Sequence, residues 1–219
     1  MAQTSISQPV TGSSATYSTR SYLRDGLLIV SAALMAVTLY MVFMWVPTEQ
    51  NLGVSQRIFY FHVPLGWIGM LSIVVVAVAS LMHLITGKEK WDSLAYATAE
   101  LGVIFATLIL VTGAIWARPV WGVWWTWDAK LTTTLVLWFI YVGYLMIRAH
   151  GPSGTQGKRY ASVIALIGAI DSPIIYKATD WWRTAHPERN VPSELASEML
   201  LTLLVATVTF TVLYAYLLV

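Results

Sequence analysis

Six long apolar stretches, at 26–46, 63–86, 94–115, 131–147, 160–176 and 196–218, decide most of what this chain can become. Each is about 20 residues long, enough to cross a hydrocarbon core of about 30 Å as a helix. Lipid offers no partner for backbone N–H and C=O groups, so helices are favoured over single strands. Of the 219 residues, 57% are hydrophobic and 11% charged, against about 25% charged in soluble domains. The expected fold is an all-α integral membrane protein, a bundle of six transmembrane helices over residues 21–219 carrying a tryptophan-rich outer loop. The connections are too short for a large soluble domain. Residues 1–20 are Ser/Thr-rich and lack periodicity, and are read as a disordered cytoplasmic N-terminus. The competing reading is a signal peptide. The apolar run beginning at Gly26 is long for that, and no small-residue cleavage site follows it.

The chain has no cysteine, which excludes disulfides, thiolate metal sites and thiol redox chemistry. A formal charge of +2 is too small to suggest a nucleic-acid partner. Six spans put both termini on one side. With that side cytoplasmic, it carries Arg20, Arg24, Lys88, Lys90, Arg148, Lys158 and Arg159, and the other carries Arg57, Arg118, Lys130, Lys177, Arg183 and Arg189. The two sets nearly balance, so the positive-inside rule supports this orientation only weakly. The outer cations are better explained as part of a site.

Tryptophan is distributed unevenly. Five of the eleven lie in one loop, 116–130, as Trp116, Trp121, Trp124, Trp125 and Trp127. With Trp45, Trp67, Trp181 and Trp182, nine lie in or beside the outer segments 47–61, 116–130 and 177–195. An aromatic belt would be shared between both interfaces. The i, i+3, i+4 spacing of Trp121, Trp124 and Trp125 would place them on one face of a short helix. That helix is either an interfacial anchor on lipid headgroups or a platform for a flat, apolar, aromatic ligand. Asp128 is expected to N-cap the fourth helix while shaping the platform.

The four histidines divide evenly. His83 and His150 fall at cytoplasmic helix ends, where a structural hydrogen bond between His83 and Glu100 is expected. His62 and His186 fall on the outer side and are the only pair able to flank the tryptophan loop. They are either ordinary interfacial histidines or the two axial ligands of a haem iron, which needs imidazoles on the same side of the membrane. Haem propionates need cations. Arg57, Arg118, Lys130, Arg183 and Arg189 are available, arginine being the better bidentate partner. Asp171, beside Pro173 in the fifth span, is costly at that depth unless paired or facing a cavity. It is read as shaping the cavity or pairing with a cation, with Pro173 able to kink the helix.

Three runs carry a family resemblance. Trp121-Gly122-Val123-Trp124-Trp125-Thr126-Trp127-Asp128-Ala129-Lys130-Leu131-Thr132 closely resembles the WWD signature of the haem-handling membrane protein superfamily that serves cytochrome c maturation. Six helices and small size are similar to its CcmC, or haem exporter C, branch. Gln56-Arg57-Ile58-Phe59-Tyr60-Phe61-His62-Val63-Pro64 and the stretch from Asp171 through Trp181-Trp182-Arg183-Thr184-Ala185-His186 are similar to the two outer loops in which that branch places its haem-ligand histidines. The resemblance covers nearly all of the chain after residue 20. Two departures are visible: Lys130 stands where the family usually has arginine, and His186 is followed by Pro187 and a charged Glu188-Arg189-Asn190 run.

The resemblance implies a protein that holds haem b at the outer, periplasmic face of a bacterial plasma membrane and is not itself an enzyme. His62 and His186 are its implied axial ligands. Trp116, Trp121, Trp124, Trp125, Trp127 and Asp128 form the platform, and Arg57, Arg118, Lys130 and Arg183 serve the propionates. Implied partners are a membrane-tethered haem chaperone of the CcmE type, an ABC-type transporter complex of the CcmA/CcmB type, a small single-span CcmD-type subunit and the lipid bilayer. Two rivals bind haem: a cytochrome c synthetase, expected to be larger and richer in histidine, and a transporter moving haem through the bilayer by way of His83 and His150. A third is a ligand-free scaffold.

Overall fold

In the computed structural model, residues 19–184, 186 and 195–219 are described. The reading of 1–20 as disordered therefore falls outside them, except that Thr19 and Arg20 already belong to the first helix. The helices are α1 (Thr19–Tyr40), α2 (Phe59–Thr86), α3 (Glu89–Trp121), α4 (Ala129–His150), α5 (Thr155–Trp181) and α6 (Ser197–Leu218). A π-helical turn, Met41–Trp45, extends α1, and a 3₁₀ turn, Val54–Ile58, leads into α2. Among the described residues six helices are long and apolar enough to cross a membrane, as the apolar stretches require.

The helix ends follow local chemistry. Gly87 (φ 67°) and Gly122 (φ 77°) terminate α2 and α3 in the left-handed region, each amide donating back to a carbonyl four residues earlier. That conformation costs glycine nothing, because it has no Cβ. Asp128 caps α4 as expected, its side chain accepting from Leu131 N. The expected short helix over Trp121, Trp124 and Trp125 does not form. Helix α3 runs on to Trp121 and is stopped by Gly122, and residues 122–128 are non-helical.

Helices α2, α3, α4 and α5 form a ring around a cavity; α6 packs against the far side of α2, and α1 against α6. The α2–α3 contact is the most extensive, and glycines set how close it is. A Cβ on Gly69 would stand 2.9 Å from Ile109 Cδ1, and one on Gly102 would stand 3.2 Å from Ser72 Cβ. Small residues at such interfaces let helices approach where no hydrophobic force between helices exists in lipid. Across α4 and α5, Gly168 makes the same allowance for Tyr141. Hydroxyls complete the seams. Thr38 and Thr209 pair at 2.7 Å between α1 and α6, and Trp138 Nε1 donates to Thr107 at 2.8 Å between α4 and α3.

The end remote from the tryptophan loop is tied by charge. Arg148 of α4 grips Asp92 of α3 with two bonds of 2.5 and 3.0 Å, a bidentate geometry open to arginine. Lys158 of α5 bonds Glu89 and lies 3.7 Å from Asp92. The expected His83–Glu100 bond is replaced by two local contacts. His83 Nδ1 donates to the Lys88 carbonyl (3.4 Å), where α2 turns into α3, and Glu100 bonds the Tyr96 hydroxyl one turn away.

Candidate functional site

The cavity inside the four-helix ring has a volume of about 330 Å³. His62, Trp116, Trp121, Trp125, Lys130 and His186 line it at the tryptophan end, and Val76, Ala99 and Tyr141 line its deep end. From His62 to Val76 is fourteen residues of α2, a run of about 21 Å along the axis. Its wall is almost wholly apolar.

Each mouth residue arrives from a different element. His62 lies in the first turn of α2, two residues before Pro64, which sits inside the helix and removes one intrahelical hydrogen bond there. The 3₁₀ turn before it is pinned by buried Gln56, which donates to the Tyr60 hydroxyl at 3.0 Å. The His62 imidazole lies against α3. Its Nδ1 is 2.9 Å from Thr112 Oγ1, its ring is 5.9 Å from that of Trp116, and a Cβ on Gly113 would stand 3.1 Å from its Cε1. Phe59 backs Trp116 at a ring separation of 6.1 Å.

His186 is brought to the same mouth by a chain of hydrogen bonds centred on Asp128. One carboxylate oxygen of Asp128 caps α4 at 3.0 Å. The other accepts from the Thr126 hydroxyl at 3.2 Å and from the Thr184 hydroxyl at 2.8 Å. Thr184 in turn accepts the His186 amide at 3.1 Å. The last loop is thereby fastened to the tryptophan loop, and His62 comes within electrostatic reach of both His186 and Lys130.

The indole N–H groups of Trp116 and Trp125 are buried at this mouth without a hydrogen-bond partner among the described residues. Buried donors are normally satisfied, so two unmatched ones beside a lysine suit a ligand that brings acceptor atoms. Among the described residues no group of three or more His, Cys, Asp or Glu could hold a metal ion.

Other expected residues stand away from the cavity wall. Trp124 and Trp127 are largely exposed; Trp127 stacks edge-on against Trp125 at 5.8 Å and shares a shallow groove with it, Leu110 and Leu135. Arg118 bonds the Gly122 carbonyl and so closes the end of its own helix. Arg57 donates to the Phe43 carbonyl at 2.9 Å, and Arg183 is exposed. Arg189 lies outside the described residues. Asp171 neither lines the cavity nor forms an ion pair among the described residues; one of its carboxylate oxygens is buried and unmatched. Pro173 sits inside α5, which is one helix from Thr155 to Trp181. Sequence reasoning missed Thr112, Gly113 and Thr184. Only Thr184, two residues before His186 in the quoted loop, carried a usable signal.

A multi-span helical membrane protein with paired histidines and a tryptophan loop at one end of its central cavity is the class that fold and site define. Comparison specifies it: residues 7–219 match the family described as Heme exporter protein C. The heme exporter protein C of Bradyrhizobium diazoefficiens is 35% identical over 192 residues, 86% of this chain and 73% of that protein. That of Escherichia coli K12 is 36% identical over 160 residues, 73% of this chain and 65% of its own length. A cytochrome c biosynthesis ccmC-like mitochondrial protein of Marchantia polymorpha is 34% identical over 158 residues, 72% and 67% of the two chains. The chain thus spans about two thirds or more of these relatives, and it belongs to the heme exporter protein C family.

Proposed function

We propose that this protein holds haem b at the tryptophan end of its cavity and delivers it for cytochrome c maturation. The observation that carries the reading is the meeting of His62, His186 and Lys130 with Trp116, Trp121 and Trp125 at one apolar mouth. Haem offers an iron with two axial positions, an apolar aromatic plane and two carboxylates. The two histidines suit the iron, the indoles suit the plane, and Lys130 with the unmatched indole N–H groups suits the carboxylates. Arg57, Arg118 and Arg183 stay near the same end for propionates or for a docked partner. Trp124 and Trp127, exposed, suit the lipid interface or the recipient. Two imidazoles leave no open coordination position, which fits a carrier rather than an enzyme.

In this reading the tryptophan end faces the periplasm, both termini face the cytoplasm, and the membrane is the bacterial inner membrane. The recipient is a membrane-tethered haem chaperone of the CcmE type. The protein works beside an ABC-type transporter complex of the CcmA/CcmB type and a small CcmD-type subunit. The names of the bacterial relatives support a place in an exporter assembly. The depth of the cavity favours a second reading, movement of haem through the bilayer. Against it, the wall ends at Val76, short of His83, whose ring is committed to the Lys88 carbonyl.

The test is the optical spectrum of detergent-purified protein beside His62→Ala and His186→Ala. The expected result is a low-spin bis-imidazole spectrum in the parent and its loss or alteration in both variants. A protein that cannot be loaded with haem, or spectra unchanged in both variants, removes the assignment.

A further inference from the structure

We infer that Thr112 is a positioning residue that fixes the tautomer of His62 and so decides which ring nitrogen is offered to the cavity. The inference rests on the haem-holding reading for its consequence, but its geometry is independent of it. Thr112 Oγ1 lies 2.7 Å from the Leu108 carbonyl, 3.3 Å from that of Ile109 and 2.9 Å from His62 Nδ1. A hydroxyl has one proton and two lone pairs. Both carbonyls only accept, and the nearer takes the proton. Toward His62 the hydroxyl can then only accept, so the imidazole carries its proton on Nδ1.

A neutral imidazole with Nδ1 protonated has its lone pair on Nε2. Among the described residues Nε2 makes no hydrogen bond, and His62 lines the cavity. The opposite tautomer would turn an N–H toward the cavity and leave nothing to donate to a metal. Gly113 serves the same placement by leaving room for Cε1, as a Cβ there would stand only 3.1 Å away. Adjacent residues of α3 thus supply a polar stop and a steric notch for one ring. Metal-bound histidines commonly donate their second N–H to a fixed acceptor, which orients the ring and raises its basicity.

The experiment uses the full chain in detergent, ¹⁵N-labelled at histidine, as the parent protein, Thr112→Val and Thr112→Ser. Long-range ¹H–¹⁵N correlation on haem-free protein reads the His62 tautomer, with His62→Gln giving the assignment. The expected result is Nδ1–H in the parent and in Thr112→Ser, and Nε2–H or a mixture in Thr112→Val. A parent showing Nε2–H, or Thr112→Val retaining pure Nδ1–H, overturns the inference. Haemin titration and redox potentiometry follow on the same samples. Thr112→Val is expected to bind haemin about 10- to 100-fold more weakly and to show a more positive midpoint potential, because a less basic imidazole stabilises ferric iron less. Thr112→Ser is expected to restore both. A valine variant with parental affinity and potential also overturns it. Failure of the parent to bind haemin removes the proposed function instead, while the tautomer result still decides the role of Thr112.

Discussion

Asp128 does two jobs with two oxygens, and one substitution separates them. One oxygen caps α4 through Leu131 N; the other holds Thr184, whose hydroxyl carries the His186 amide. Asp128→Asn keeps a good N-cap, since asparagine and aspartate are nearly equivalent there. With the cap kept, the amide nitrogen takes the place of the oxygen that accepted from Thr184, so the charge-assisted bond is lost and only a weaker amide-to-hydroxyl contact can replace it. The hydroxyl–carboxylate bond it removes is of the charge-assisted kind, about 1.5–3 kcal/mol when well shielded. This one is only partly buried, so the lower end applies. About 1.4 kcal/mol is a factor of ten in an equilibrium, so the ratio of held to released His186 should fall about tenfold. The assay is haemin titration in detergent with Tm measured in parallel. Asp128→Asn and Thr184→Val should each weaken haemin binding by about an order of magnitude with little change in Tm. Asp128→Ala should also lose about 1 kcal/mol of cap stability. The double variant Asp128→Asn/Thr184→Val should bind no more weakly than either single one, because both break the same link. Parental affinity in Asp128→Asn and Thr184→Val, or fully additive losses in the double variant, would refute the link.

Gly113→Ala should leave the helices intact and weaken haemin binding, because its Cβ at 3.1 Å from His62 Cε1 displaces the ring by a few tenths of an ångström; titration and the low-spin electron paramagnetic resonance signature check this. Arg148→Ala should be the most destabilising of these changes without touching the mouth. It strands the Asp92 carboxylate, 5% exposed, and breaking a buried pair costs about 3–5 kcal/mol, the lower end applying because Lys158 lies 3.7 Å away. Thermal denaturation reads the loss, and haemin affinity at low temperature should be retained.

The six spans were legible because lipid imposes one rule on every residue of a span, and composition records it directly. Their ends were less so. Helix α3 begins at Glu89 and continues to Trp121, beyond the apolar run at 94–115, because helices extend into the interface, where polar and aromatic residues are stable. The tryptophan run reads as a helix by spacing, but Gly122 stops α3 at its first tryptophan and the remainder is loop. Spacing alone carries no information about a left-handed glycine. The gathering of His62 and His186 at one mouth agrees with their placement at one end of the bundle. The cations were harder to place, since an arginine can turn to a nearby carbonyl as readily as to a ligand. Arg118 and Arg57 both do so, and of the named cations among the described residues only Lys130 reaches the wall. Thr112 was invisible for another reason: it lies fifty residues from His62, and only the packing of α2 on α3 brings them together.

The two histidines are held in unlike ways, and the difference bears on how a carrier lets go. His62 stands in a helix, its ring seated against α3 by Thr112 and Gly113, so its backbone is fixed by the most extensive helix contact among the described residues. His186 lies outside any helix, and its amide reaches the bundle through one threonine and one carboxylate oxygen. A bis-imidazole holder must surrender one ligand before a recipient can supply its own. On the proposed function its place outside any helix marks His186 as that ligand. Variants at Asp128 or Thr184 should then speed haem dissociation from the preloaded protein, whereas Thr112→Ser should leave the rate near that of the parent. Stopped-flow transfer to excess apomyoglobin measures it. Parental dissociation rates in both Asp128→Asn and Thr184→Val would mean that the tether on His186 has no part in release.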